Sequence, residues 1–445
     1  MPRRSSYRRL LVALAVVSAA ACGAQAAAPA DAQAAALVAS PATGRPAART
    51  VAMAAVTGAG PSAAALRQLQ AQLQRLPDKP ELWIELGRAW VREARTSADP
   101  GFYLHAEAAA EVALELSPGH PEADNLRALV RLNRHDFAGA RDLARTILAR
   151  DPDNATALGS LSDALLELGD IAGAEAAAQA MMDRKPNLPS YTRASWLRWL
   201  RGDVAGAKEA IHAAYDAGRG QADREPAAWT LVQAAQIFWH EGDYAGADAG
   251  YDLALSQFAD YPPALVGKAR VALAREDFAG AAALLERADA QSPLAETAWL
   301  LGDARAAAGD ADGAARAYAE LRRRGTQGDA RTLSLFLATR GEAPEEALRL
   351  AEGERRLRGG PYTQDMLAWA LLRAGKPAEA QAAIAPALAL GLRDASLWFH
   401  AGAIAIANGD AVAGAELLRR ALAQNPGFDL VGAREARELL ARCGA

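Results

Sequence analysis

A short phrase recurs along the sequence at nearly constant spacing, and this period limits the possible folds more than any other feature. It reads GDIAGA from residue 169, GDVAGA from 202 and GDYAGA from 242. Further copies begin at residues 135, 276, 309, 375 and 409, with a degenerate one at 340. The steps from 135 to 309 are 34, 33, 40, 34 and 33 residues. Self-similarity of this kind predicts a stack of repeated units that grows along one axis.

Each copy of the phrase predicts the corner between two helices. Gly242 follows an apolar segment with helical periodicity and can adopt the left-handed conformation that ends a helix. The Asp243 carboxylate can then cap the next helix. Ala247 allows two helices to approach closely, and Tyr251 continues the buried face one turn later. Prolines are expected to end the second helix of several repeats, at Pro118, Pro152, Pro186, Pro293 and Pro426.

The first helix of each repeat has its own pattern, which carries a family resemblance. In ELWIELGRAW (81–90), Trp83, Leu86, Gly87 and Trp90 fall on one helical face. Together with the period, the corner glycines and the prolines, this resembles the tetratricopeptide repeat. The resemblance implies an all-α, right-handed α-solenoid of about ten helix–turn–helix repeats within a domain of residues 61–445. A helix over 62–76 precedes the repeats and a closing helix over 429–442 follows them.

Segments such as SWLRWLRGDVAGA and YTQDMLAWALLRAGKPAEA also resemble a group of exported bacterial tetratricopeptide proteins. That similarity implies fold and export, and no activity for any residue.

Two connections are longer than the rest. Residues 92–106 lengthen the first repeat, as a functional loop or a neutral insertion, and residues 216–228 are expected to form a solvated loop.

The first 26 residues have the organisation of a bacterial export signal. Arg3, Arg4, Arg8 and Arg9 precede an apolar stretch that is too short to span a bilayer. Cys22 occupies the place of a lipoprotein cysteine, although Ala19 is smaller than the residue usual three positions before it. Cleavage after Ala26 is the alternative. The Ala- and Pro-rich residues 27–60 predict a flexible tether.

Composition and motifs exclude several classes of function. The net charge of −4 would fall to −8 without the four arginines of the leader, which argues against a nucleic-acid-binding surface. The sequence contains no HExxH, CxxC, GxSxG or glycine-rich phosphate loop, and Cys22 and Cys443 are its only cysteines. No catalysis, cofactor or metal is expected. An enzyme of unfamiliar design stays open, and it would require clustered polar groups with perturbed pKa values.

The resemblance also implies a concave inner wall formed by the first helices. Counting from the corner glycine as position 15, positions 2, 5, 9, 12 and 13 face this groove in tetratricopeptide proteins. Aromatic side chains interleaved with charge suit peptide binding, whereas tryptophans at helical spacing can equally be packing residues. The positions so identified are Trp229, Gln236, Trp239, His240, Arg270, Trp299, Asp303, Arg331, Tyr362, Asp365, Trp369, Arg373 and Phe399.

These features predict a non-catalytic scaffold of the bacterial cell envelope that holds protein or peptide partners in its groove. The alternative is an accessory subunit that positions an enzyme or an assembly or secretion complex. The expected location is the periplasm or the outer membrane, with any membrane contact made through lipid on Cys22. Secretion is the alternative.

Lipidation can be tested at its proposed attachment point. We expect Cys22→Ser to move the protein from the membrane to the soluble fraction, because the lipid would be attached through the thiol. Cys443→Ser is the matched control and should leave fractionation unchanged. Membrane retention of Cys22→Ser would contradict the proposed anchor.

Overall fold

The computed structural model describes residues 47–56, 61–97, 99–220 and 223–443, and within them every regular element is a helix. The predicted export signal and Cys22 lie outside these residues. The helices are α1 Ala48–Ala52, α2 Pro61–Arg75, α3 Pro80–Ser97, α4 Phe102–Leu116, α5 Pro121–Asn133, α6 Phe137–Arg150, α7 Ala155–Leu168, α8 Ile171–Arg184, α9 Leu188–Leu200, α10 Val204–Gly218, α11 Glu225–His240, α12 Tyr244–Gln257, α13 Pro262–Ala274, α14 Phe278–Gln291, α15 Ala295–Ala307, α16 Ala311–Gly328, α17 Ala330–Arg340, α18 Pro344–Leu357, α19 Pro361–Arg373, α20 Pro377–Ala389, α21 Ala395–Ala407, α22 Ala411–Gln424 and α23 Leu430–Cys443.

The helices α3 to α22 form ten hairpins in chain order, from α3–α4 to α21–α22. This confirms the predicted α-solenoid of about ten repeats. The helix α2 and the closing helix α23 match their predicted positions within one residue. The segment 216–228 was expected to be a solvated loop, but part of it is helical, because α10 ends at Gly218 and α11 begins at Glu225.

The corners have the predicted chemistry. Gly242 has a φ of 75°, and the Asp243 carboxylate accepts a hydrogen bond of 2.9 Å from the backbone N–H of Gly246. At two corners the same left-handed position is held by His135 and Glu276, each with a φ of 61°. The left-handed conformation is strained for a residue that has a side chain. These two corners keep the same geometry despite that strain.

Small residues set the spacing between the helices of a hairpin. Ala247 is fully buried and Tyr251 nearly so. Gly267 belongs to the next hairpin, and a Cβ atom added to it would lie 2.2 Å from the Tyr251 ring. The missing side chain of Gly267 therefore leaves room for that ring. The backbones therefore approach closely where a large and a small residue face each other.

The N-terminal part of the array is closed by a segment expected to be flexible. Residues 47–56 belong to the predicted tether, but α1 packs on the first hairpin and buries Ala52 completely. The Trp90 indole N–H donates to the Ala52 carbonyl at 2.9 Å, and His105 Nδ1 lies 2.8 Å from the Val51 carbonyl oxygen. The tether prediction was therefore wrong for these ten residues.

This docking also gives the long segment 92–106 a structural role. The helix α3 runs on to Ser97, and α4 begins at Phe102. Phe102 stacks on Trp90 with ring centroids 5.4 Å apart. The additional residues thus bring Phe102 and His105 to Trp90, where they form the surface that α1 covers.

The array also coils back onto itself. The corner glycines Gly169, Gly202 and Gly242 of hairpins three, four and five lie against the loops that follow hairpins eight, nine and ten. A Cβ atom added to Gly169, Gly202 or Gly242 would lie 2.7, 2.2 or 2.6 Å from the carbonyl oxygens of Gly359, Gly391 and Gln424 respectively. We call this row of three contacts the seam. It repeats at a constant offset of five hairpins, so successive turns of the superhelix touch.

Hydrogen bonds reinforce the seam. The backbone N–H of Gly359 donates to the Glu167 carbonyl at 2.7 Å, and the Asn425 side-chain amide donates to the Trp239 carbonyl at 2.8 Å. The Tyr244 hydroxyl donates a hydrogen bond of 2.6 Å to Asn425 Oδ1. One cluster of buried apolar residues includes Leu197 and Leu200 from one turn together with Leu371, Leu392 and Leu397 from the other. The seam is therefore a packed interface.

The seam can be tested with a pair of matched glycines. Gly202 and Gly309 both have positive φ, but only Gly202 has a neighbour at its missing Cβ. Gly309→Ala should lower the free energy of unfolding by about 1 kcal/mol through backbone strain alone. Gly202→Ala should lower it by about 2–4 kcal/mol, since overpacking is added. Urea unfolding measures both, and equal losses would contradict a packed seam.

The docking of α1 makes a separate prediction. Ala52→Asp would bury a carboxylate without a partner and should release residues 47–56 from hairpin one, with a loss of about 1–3 kcal/mol. Hydrogen exchange should show lost protection of the backbone N–H groups of α1 and of the Trp90 indole N–H. Ala55→Asp, at an exposed position of the same segment, is the control. Unchanged protection in Ala52→Asp would argue against the docked state.

Candidate binding clefts on the inner wall

The aromatic positions predicted in the last hairpins do not form an open groove. Trp369 is fully buried and Phe399 is 1% exposed. Phe399 packs against Phe428, and both belong to the cluster that contains Ala433 and Ala436 of α23. The closing helix also contacts α17 and α21. It therefore lies over the wall that these residues were predicted to expose, and they are packing residues.

Several other predicted positions are used within the fold. Trp239 is 6% exposed and packs on Tyr244. Trp299 packs edge-on against Phe336. Four charged positions are paired with neighbours: Arg270 with Glu296, Asp303 with Arg340 and Tyr318, Asp365 with His400, and Arg373 with Glu435.

The other predicted positions border two adjoining clefts. Trp229, Gln236 and His240 of α11 face α9 across a shallow, partly open cleft. We call it the tryptophan cleft. Its lining residues are Thr192, Ser195, Trp196, Trp199, Ile211, Trp229, Gln233, Gln236, Ile237 and His240. Five of these ten residues are tryptophan or isoleucine and the other five are polar.

A second shallow cleft lies across the seam and brings together Arg331 and Tyr362. The Trp196 ring borders both clefts and stacks on Tyr362, with centroids 6.0 Å apart. The two clefts therefore share one aromatic wall that is built from both turns of the superhelix.

Asp394 links the walls of the two clefts. It caps α21 by accepting the backbone N–H of Ser396 at 2.8 Å, and its other oxygen lies 3.3 Å from His240 Nδ1. The Trp199 indole N–H donates to the Tyr362 hydroxyl at 3.3 Å, and that hydroxyl donates to Asp394 at 3.4 Å. These contacts cross the seam, so they fix the shape of the clefts.

Burial shifts the ionisation of this network. It lowers the pKa of His240, against the raising effect of Asp394, and Arg270 lowers it further. Burial also raises the pKa of Tyr362 well above its usual range, and Asp394 adds to that effect. Neutral imidazole and phenol groups are therefore favoured at neutral pH.

Further perturbed groups surround the clefts, which bears on the possibility of an enzyme. Burial raises the pKa of Asp163 to about 6, although Arg193 binds it through two hydrogen bonds of 2.9 and 2.6 Å. Burial, with Arg358 and Arg331, lowers the pKa of His135 to about 4. Pairing and burial account for such shifts in structural networks too. The Asp163 carboxylate is held by Arg193, and nothing in this geometry prepares it to take up a proton from a substrate.

Two of the cleft residues were missed by sequence reasoning although the same rule identifies them. With Gly202 as position 15, Trp196 and Trp199 fall at positions 9 and 12 of hairpin four, which are positions expected to face the groove. Gln233 lies at none of the five positions but also borders the cleft. Asp394 could not be identified in this way, since its contacts cross five repeats.

Within the described ranges, no group of three or more His, Cys, Asp or Glu residues is arranged to hold a metal ion. No helix in that part of the chain combines the length and apolar character needed to cross a membrane.

Comparison with known proteins identifies the repeat. A family model described as tetratricopeptide repeat matches residues 125–189 and 366–427. No curated protein gives a significant match. Among solved structures, the type IV pilus biogenesis factor PilW is 16% identical and aligns over 49% of this chain and 98% of its own, with a TM-score of 0.41. PilF of Pseudomonas aeruginosa is 20% identical over 48% and 92%, with a TM-score of 0.35. Human IFIT1 with m7Gppp-AAAA is 14% identical over 82% and 90%, with a TM-score of 0.46.

The matched stretches are hairpins two, three, nine and ten of the stack, and the hairpins between them have the same two-helix form. The two matched stretches are therefore tetratricopeptide repeats within a continuous stack of helical hairpins.

Proposed function

We propose that the protein is a non-catalytic scaffold of the bacterial cell envelope that holds an extended peptide segment of a partner protein in the tryptophan cleft. The observation that carries the proposal is this cleft itself. It places three indole rings from α9 and α11 around a partly open space that no segment of the described chain fills. Aromatic anchors in a pre-formed concave site are typical of peptide recognition.

The contrast with the rest of the inner wall supports this location. The helix α23 covers the wall of the last hairpins, and most of the charged positions predicted to face the groove are paired within the fold. Trp229 and Trp196 remain partly exposed. The binding surface is therefore smaller than the continuous groove predicted from the repeat pattern, and it is centred on hairpins four and five.

Placement in the envelope rests on the sequence. The basic and apolar leader supports export, and Cys22 supports a lipid anchor to the membrane. A single acyl chain gives only marginal binding, whereas two or three chains give a stable anchor. A tethered scaffold would hold its partner close to the membrane surface. The alternative role as an accessory subunit uses the same cleft with one permanent partner.

The cleft can be tested by photo-crosslinking in intact envelopes. A photoreactive phenylalanine at Gln233 should crosslink to a partner protein, because this side chain borders the tryptophan cleft. The same residue at Gln179, which is exposed on the second helix of hairpin three, is the control. Trp229→Ala should reduce the yield from position 233 by about tenfold, as expected for loss of an aromatic anchor.

Two outcomes would contradict the proposal. One is an equal pattern of crosslinks from positions 233 and 179. The other is a yield from position 233 that Trp229→Ala leaves unchanged while the variant stays folded by circular dichroism. A single partner recovered in fixed stoichiometry would favour the accessory-subunit form of the proposal over a general scaffold.

A further inference from the structure

The polar groups of the tryptophan cleft restrict which peptides it can hold. Most of them are already engaged. The hydroxyl of Thr192 donates to the Pro189 carbonyl at 3.1 Å, and that of Ser195 donates to the Ala207 carbonyl at 2.7 Å. The Trp199 indole N–H donates to Tyr362. These groups serve the fold and have no donor hydrogen left for a ligand.

Three N–H donors of the wall are not used in this way. The Trp196 indole nitrogen is buried and has no hydrogen-bond partner. The Trp229 indole and the Gln233 amide make no hydrogen bond with any described residue. The Trp229 and Gln233 side chains are partly exposed, so a ligand that brings an acceptor can reach their N–H groups. The cleft therefore favours a ligand rich in acceptors.

The charge of the lining is the second restriction. His240 is its only titratable side chain, and the Asp394 carboxylate already faces that imidazole. The lining contains no lysine, arginine or carboxylate that could pair with a charged ligand group. A charged side chain that entered the cleft would lose water without gaining a partner. The ligand segment is therefore uncharged.

We infer that the tryptophan cleft binds an uncharged, proline-rich peptide segment in the polyproline II conformation, an inference that rests on the proposed function. Proline has a carbonyl acceptor and no backbone N–H, which matches a wall with unused donors. Its rings pack flat on aromatic faces, and aromatic-lined grooves recognise such segments elsewhere. The polyproline II helix also loses little conformational entropy on binding, because it is preformed.

The test uses a fluorescently labelled, neutral peptide of repeated Pro-Pro-Ala triplets and the folded protein. Fluorescence polarisation should show saturable binding, with affinity at least tenfold above that for a Gly-Ser-Ala peptide of equal length. Replacing one central alanine of the proline peptide by aspartate should weaken binding by a similar factor. A neutral chitin oligosaccharide, which could also stack on indoles, should not compete.

Variants locate the site. Trp229→Phe removes one N–H donor and keeps an aromatic ring, and Gln233→Leu removes the amide. Each should weaken binding of the proline peptide about three- to tenfold, the value of one neutral hydrogen bond. Trp299→Phe is the matched control, because the Trp299 indole nitrogen likewise has no hydrogen-bond partner but lies outside both clefts. It should bind like the unmodified protein.

The outcomes separate this inference from the proposed function. Equal affinity for the proline and Gly-Ser-Ala peptides, unchanged binding in both Trp229→Phe and Gln233→Leu, or competition by the oligosaccharide would each overturn the inference. If the proline peptide fails but position 233 still crosslinks to a partner in a Trp229-dependent way, the proposed function stands and the proline preference is wrong. If both fail, the cleft is not the binding site.

Discussion

The structure depends on the close approach of backbone to backbone at glycine. Within a hairpin, a corner glycine with positive φ lets one helix end and the next begin under an aspartate cap. At Gly169, Gly202 and Gly242 the missing side chain has a second role, because a carbonyl from five hairpins further along occupies its place. The same residue type thus sets the local turn and the contact between superhelical turns.

The seam changes the physical character of the solenoid. In an open array each unit contacts only its neighbours, and stability is close to a sum of local terms. Here hydrogen bonds and apolar packing join residues that are more than 150 positions apart, such as Trp199 and Tyr362. Opening of one turn must therefore break contacts in another. These contacts also hold the walls of the two clefts at a fixed distance, which favours a pre-formed binding site.

The fold could be predicted from the sequence because its determinants are local. Gly242, Asp243, Ala247 and the prolines act within one repeat, and their periodicity predicted the number of repeats and the corners between helices. The site was predicted less well. Helical position alone does not distinguish Trp229, which borders a cleft, from Trp369, which α23 covers. That difference arises from packing between distant parts of the chain, to which a repeat pattern is insensitive.

The constant offset of the seam has an evolutionary consequence. Repeat proteins commonly change length by duplication or loss of whole units, since an added unit in an open stack only extends it. In this chain, one hairpin gained or lost between Gly242 and Gly359 would bring each corner glycine opposite the wrong loop, and three contacts would be lost at once. The number of repeats inside the closed turn is therefore under selection, whereas units added beyond α23 would leave the offset unchanged.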